Sequence, residues 1–362
     1  MKAEKLIYAS TEASPDMLYF AKMNIPDPVF AFTSKGRKCA IFSRLEIGRA
    51  RRESAFDEIF ESASPDPCDD LAAAFSALGI RRVEVPEDFP AGMYVRLASG
   101  GLGISVRRGP FFPQREIKSE WEAGEISKAN AAASSAFARV REILSESSVS
   151  GRFIKWRGRH LTSEALKFEI EAACLRMGAE SKHTIAAAGD QACDPHCEGF
   201  GKIRAGSLMV FDIFPRMKSS GYYGDMTRTF LKGAPSDAQS RLVETVKLAQ
   251  DEAMKLVKAG ARADRVHARA AGVFESRGYK TSREGGEWRG FFHSTGHGLG
   301  LEVHESPRLG TARNILRAGQ VVTVEPGLYY PGLGGCRIED NVLVGASGCR
   351  KLSDYPYDWV VR

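Results

Sequence analysis

Phe292-His293-Ser294-Thr295-Gly296-His297-Gly298-Leu299-Gly300-Leu301-Glu302-Val303-His304-Glu305 is the stretch on which the reading of this chain turns. Three of the seven histidines fall between His293 and His304, among glycines, aliphatic residues and acids. Gly296, Gly298 and Gly300 allow close backbone approach and dihedrals closed to other residues. Three glycines in five residues argue against a helix. The run from Leu299 to Val303 is expected to be a strand, with His297 at one end and His304 at the other. An imidazole on a rigid strand serves as a metal ligand or an acid/base group. The alternative is a set of histidines satisfied by hydrogen bonds in a Gly-rich loop, and the acids elsewhere decide between the two.

Leu208-Met209-Val210-Phe211-Asp212 is an apolar run ending in an acid, as a strand delivering a carboxylate to a site would look. Asp225 follows a polar, Gly-containing turn; Val321 to Val324 runs into Glu325-Pro326-Gly327; and Glu339 lies in Cys336-Arg337-Ile338-Glu339-Asp340-Asn341. One such acid is ordinarily a salt bridge or a helix cap. Four, beside a Gly-His-Gly, repel one another when buried, and cations are the usual remedy. Four carboxylates and one imidazole can hold two divalent ions if some carboxylates bridge, and such a pair can clamp both oxygens of a hydrolytic transition state.

The remaining sequence frames this cluster. A chain of 362 residues exceeds what one core usually organises, so two domains are expected, 1–113 and 114–362, with the boundary at Gly109-Pro110-Phe111-Phe112-Pro113. A net charge of +6, without a clustered basic patch, gives no case for nucleic acid. The seven scattered cysteines read as reduced thiols, and the amino-terminal residues show no signal peptide or membrane span, so a cytoplasmic protein is expected.

The first domain reads as a small mixed α/β unit. It has a hairpin around Ser34-Lys35-Gly36, a helical stretch from Arg44 to Glu61, a helix capped by Asp69 or Asp70 and stopped by Gly79, and a strand from Arg82 to Val85. Beyond the boundary, Ile126, Ala129, Ala133, Phe137, Val140 and Leu144 mark a long amphipathic helix. Ser145 to Ser150 reads as a polar linker. Thr162 caps a second helix, Ser236-Asp237-Ala238-Gln239 opens a third, and a fourth spans about Asp264 to Arg277. Strands dominate the rest, including Val321 to Val324 and Arg337 to Val344.

These segments resemble the metal-binding motifs of the pita-bread metallopeptidases, which include methionine aminopeptidase, aminopeptidase P and Xaa-Pro dipeptidase. The resemblance covers roughly residues 115–362, and residues 1–113 look like the amino-terminal domain of the proline-directed members. It implies an α/β (α+β) fold, a pita-bread catalytic domain behind a smaller mixed domain, and dimetal hydrolysis of Xaa-Pro bonds in small peptides. By resemblance Asp212, Asp225, His297, Glu325 and Glu339 are the metal ligands, Asp225 and Glu339 bridging. Glu325 also moves protons, His304 stabilises the tetrahedral intermediate, His196 contacts substrate, and Arg337 stands beside the bridging glutamate. The resemblance implies manganese or cobalt; zinc is a further option, and an oxygen-rich ligand set favours manganese. A homodimer is implied in the same way. One departure stands out: the family's first aspartate is normally followed two positions on by glycine, whereas Phe214-Pro215 follow Asp212 here, on a somewhat longer connection read as a modified hairpin.

Several alternatives are open at this level. Aminopeptidase P differs from a dipeptidase only in substrate length. Methionine aminopeptidase generally lacks a separate first domain of this size and a histidine at the position of His293. A metal-free scaffold would lack ligand acids, and none is missing. Cys193 and Cys197 have no partner pair at zinc-knuckle spacing. His160, His183 and His267 are read as surface or satisfied histidines. His293 and His196 are candidates for a proline pocket. Arg308, Arg313 and Arg317 lie between the His304 and Glu325 motifs, as candidates for a substrate carboxylate or as a solvated loop.

Overall fold

Lys35 and Gly36 adopt φ of 52° and 85°, the pair of positive dihedrals a two-residue hairpin turn requires, and they join strands Val29–Ser34 and Arg37–Phe42 in register Ser34↔Arg37. The computed structural model describes residues 3–362, which divide into two units, 3–115 and 116–362. The hairpin lies in the first unit. Its six-stranded sheet runs in the order Glu58–Glu61, Arg37–Phe42, Val29–Ser34, Glu4–Ala9, Arg82–Val85, Gly103–Val106.

Two local expectations in this unit are corrected. Only Ile47–Glu53 of the stretch from Arg44 to Glu61 is helical. Ile59 and Phe60 pack into different cores on opposite faces of the sheet, which a strand's alternation achieves and a helix cannot. The helix Pro67–Leu78 is capped by Asp66, with Pro67 opening its first turn, rather than by Asp69 or Asp70. Asp70 accepts the backbone N–H groups of Ala63 and Ser64 in the preceding loop.

The second unit holds two pairs of helices, each packed on a sheet. Helices Glu120–Glu146 and Ser163–Arg176 cover the sheet Ile185–Ala188, Met209–Ile213, Met226–Lys232, Val360–Val361. Helices Asp237–Met254 and Ala263–Ser276 cover the sheet Glu305–Leu309, Gly296–Gly298, Val321–Val324, Asp340–Val344, Cys349–Lys351. Capping boxes at Ser119/Glu122 and Ser236/Gln239 satisfy the first amides of the two longest helices. No helix among the described residues is long and apolar enough to cross a membrane. All seven cysteines are free.

Three segments here also depart from the sequence reading. Ser148–Ser150 is a strand, hairpinned to Phe153–Trp156; its residues are exposed and so carry no apolar signal. Leu299 to His304 is a bend between strands Gly296–Gly298 and Glu305–Leu309. Finally, Arg337 to Val344 is not one strand. Gly334–Arg337 pairs with Gly327–Tyr330, whereas Asp340–Val344 pairs with Val321–Val324. The chain changes partners at Ile338-Glu339, and that break leaves Glu339 buried at the junction.

Candidate active site

The two helix-covered sheets of the second unit and the turns at their strand ends contribute acids to one cavity of about 880 Å³. Asp212 stands opposite Thr227 in the hairpin of Met209–Ile213 with Met226–Lys232, so the connection after Asp212 closes as a hairpin despite Phe214-Pro215. Asp225 enters just before the second of these strands, and its backbone is clamped. Its N–H donates to Asn130 Oδ1 at 2.9 Å, its carbonyl accepts from Asn341 Nδ2, and Asn130 Nδ2 donates to Asn341 Oδ1 at 3.2 Å. A Cβ on Gly224 would lie 2.6 Å from the Asn130 backbone nitrogen, so only glycine allows this approach.

His297 comes from the short Gly296–Gly298 strand. A Cβ at Gly296 would lie 2.0 Å from the Thr323 carbonyl oxygen, which explains the glycine. Thr323 Oγ1 accepts the His297 N–H at 3.0 Å, and the Glu325 N–H donates to the Thr295 carbonyl at 2.8 Å. Glu339 is fixed at both ends: its N–H donates to Thr227 O at 3.1 Å and its Oε2 accepts from Thr227 Oγ1 at 2.7 Å.

Donor atoms of Asp225, His297 and Glu339 all lie within 4.8 Å of one another. His297 Nε2 stands 3.3 Å from Glu325 Oε1 and 3.7 Å from Asp225 Oδ2. Burial pushes the His297 imidazole down to about 4, so it is neutral at pH 7. Its Nδ1 is 3.1 Å from the Gly298 carbonyl, an acceptor, so the proton sits on Nδ1 and the Nε2 lone pair faces the carboxylates. With the acids ionised, that arrangement is repulsive unless a cation lies between them.

The carboxylates tell the same story. Burial, then the neighbouring acids, raise Asp225 and Glu339 well above the usual carboxylate range. Burial lifts Glu325 to about 7 against the opposing charge of Arg337. Asp212 Oδ1 and Glu339 Oε1 are buried without a hydrogen-bond partner. Orphaned acid oxygens beside an imidazole lone pair fit divalent cations held by carboxylate and imidazole.

Around this cluster the cavity is lined by His196, His293, Val303, His304, Arg308 and Phe292, among others. The His304 ring is 4.4 Å from that of His297, edge to face, and burial lowers its pKa to about 4. His183, read from sequence as an isolated histidine, is brought to the wall with Glu198, whose Oε1 it meets at 2.9 Å. His267 is satisfied by Thr295 Oγ1 at 2.9 Å.

The other arginines singled out in the sequence, and His293, fall at different places. Arg313 is exposed and lies outside the cavity lining, and the Arg317 guanidinium pairs with Glu116 at 2.5 Å. Arg337 lines the cavity, but its nitrogens already meet Asp212, Tyr329, Thr227 and the Pro195 carbonyl. His293 is spent in the same way. Arg337 Nη1 donates to Tyr329 Oη at 2.8 Å, leaving the phenol proton for His293 Nε2 at 2.9 Å, and His293 Nδ1–H donates to Ser294 O at 2.8 Å. With both ring nitrogens engaged, the His293 ring is fixed in the cavity wall. Tyr329, whose sequence context suits either the pocket wall or the core, is fully buried with its hydroxyl at the site, and Asn130 is a site residue that the sequence reading missed. Asn130 did leave a trace, as a polar residue on the apolar stripe of its helix.

A family model described as metallopeptidase family M24 matches residues 124–346. The chain belongs to this family. A Pyrococcus horikoshii protein named Xaa-Pro dipeptidase is 35% identical over 243 residues, 66% of this chain and 63% of the relative. The matched stretch therefore spans less than two thirds of that curated relative. Among solved structures, the X-Pro aminopeptidase from Thermotoga maritima MSB8 superposes with a TM-score of 0.85 at 25% identity, covering 99% of this chain and 97% of the other. The Xaa-Pro dipeptidase from Bacillus anthracis gives 0.85 at 26%, covering 99% and 95%. The fold is thus that of an M24 pita-bread catalytic unit with an amino-terminal domain.

Proposed function

We propose that this M24 protein is a dimetal-dependent Xaa-Pro dipeptidase, cleaving the bond before a carboxy-terminal proline. The observation that carries the reading is a single cavity in which Asp212, Asp225, His297, Glu325 and Glu339 converge beside His304 and Arg308. Asp212, Asp225, His297, Glu325 and Glu339 are the proposed metal ligands, and manganese is the proposed metal because the set is rich in hard oxygen donors. Such ions, when bound, supply Lewis acidity to a carbonyl and acidify an attacking water.

The chain's own groups account for the rest. Glu325 takes the proton of the attacking water and passes it to the departing proline nitrogen, which carries no proton of its own in the peptide. His304, neutral and beside His297, donates a hydrogen bond to the oxygen where charge develops. Phe292 and Val303 offer the proline ring an apolar wall, and His196 lines the same cavity. Arg308 receives the proline carboxylate, for which a guanidinium fork is the matching shape. The family resemblance supports a homodimer, the free thiols a cytoplasmic setting, and the modest, unclustered charge a protein that does not engage nucleic acid.

A second reading, aminopeptidase P, is supported by the likeness to the Thermotoga structure and differs in what lies beyond the proline. For either, Glu325→Gln should lose far more kcat than affinity, because its proton-transfer role belongs to the transition state. A variant that lost only affinity would contradict the assignment.

A further inference from the structure

The Glu305 carboxylate reaches back over the bend that precedes it. Its Oε1 accepts the N–H groups of Leu301 at 3.0 Å and Glu302 at 3.3 Å, and its Oε2 accepts from Lys118 Nζ at 2.8 Å. Both side chains of this ion pair are buried, at 2% and 6% exposure. Gly300 makes the room, since a Cβ there would lie 2.7 Å from Glu305 Oε2. Lys118 is itself anchored: its N–H donates to the Gly319 carbonyl at 2.7 Å, and the next residue, Ser119, caps the long helix. The ladder resumes at Gly298↔Glu305, so the side chain that ties the bend belongs to the residue that ends it. His304 is the last residue inside the bend.

We propose that the Lys118–Glu305 ion pair is a positioning device for His304, fixing the bend from Leu299 so that the imidazole is held against His297. The proposal rests on the reading of His304 as a residue that meets substrate. An ionised carboxylate binds two amides more strongly than a neutral one, and a buried carboxylate keeps its charge only with a partner such as Lys118. Removing either member breaks the buried pair and weakens the hold on the amides of Leu301 and Glu302.

The test uses the metal-loaded full chain carrying Glu305→Gln or Lys118→Met, each alone and with His304→Ala. Glu305→Gln should lower kcat on Ala-Pro roughly 10- to 100-fold, as loss of an orienting partner does, with KM and metal content little changed. Amide exchange should quicken from Leu299 to His304 and stay unaltered in the helix Ser163–Arg176. In the His304→Ala background the same substitution should cost no further rate. Lys118→Met, which keeps length and removes charge, gives the same readouts if the glutamine variant fails to fold. Losses that simply multiply with His304→Ala, or an unchanged exchange pattern in the bend, would overturn the proposal. A His304→Ala protein with full kcat would overturn the underlying reading of His304, and is recognisable because the bend's exchange still responds to Glu305→Gln.

Discussion

Arg337 Nη2 lies 2.7 Å from Asp212 Oδ2, while Asp212 Oδ1 is buried with no hydrogen-bond partner. One oxygen is thus tied to a guanidinium that is itself locked by Tyr329 and Thr227, and the other is left without a partner in a cavity shared with Asp225, Glu325 and Glu339. The arginine orients the carboxylate by binding one oxygen, much as outer partners orient metal ligands generally.

Arg337→Lys keeps the charge but cannot reach Asp212, Tyr329 and Thr227 together. We expect metal affinity to fall roughly 10- to 100-fold, with circular dichroism unchanged. Competition against a fluorescent chelator measures this. Equal affinities in the two proteins would mean that Arg337 does not orient a metal ligand.

Metal should stabilise the fold, and increasingly so as pH rises. In the metal-free protein Asp225 and Glu339 are held well above their unfolded values, chiefly by burial. Groups shifted upward leave stability intact at low pH and withdraw it as pH climbs through the folded value. A bound cation removes that penalty, and its binding requires the protons to leave. The rise in Tm on adding manganese to stripped protein should therefore be larger at pH 8 than at pH 5.5. A pH-independent rise, or none, would argue against these two residues as ligands.

The four acids and the Gly-His-Gly were legible because each chemistry-bearing residue sits beside its own apolar run or glycine. The helices were legible from periodicity and caps. What escaped detection depends on long-range contacts. Nothing local in Ile338-Glu339 says that the chain changes sheets there; the partners on either side, Gly327 for Arg337 and Val324 for Asp340, are fixed only by pairing. The bend after Gly298 depends on Glu305 and Lys118, which are 187 positions apart. His293 looked free because the phenol that occupies it comes from Tyr329, 36 positions on. Exposed strands such as Ser148–Ser150 carry no hydrophobic pattern to read.

Arg308 faces the cavity and Arg313 does not. Arg308→Ala should therefore cut kcat/KM on the dipeptide Ala-Pro about tenfold to a hundredfold, the worth of a charged hydrogen-bonded contact. The tripeptide Ala-Pro-Ala, whose carboxylate lies elsewhere, should be affected far less, and Arg313→Ala should change neither. Parallel losses on both substrates would remove Arg308 from carboxylate recognition.

The most direct measurement is the rate of the metal-stripped wild-type chain on Ala-Pro, Ala-Pro-Ala and Met-Ala-Ser before and after manganese is restored. A divalent-metal Xaa-Pro dipeptidase predicts no cleavage when stripped, recovery on Ala-Pro with manganese, slower cleavage of Ala-Pro-Ala, and none of Met-Ala-Ser. Undiminished cleavage by the stripped protein, or a preference for the tripeptide Ala-Pro-Ala or for Met-Ala-Ser over Ala-Pro, would contradict it.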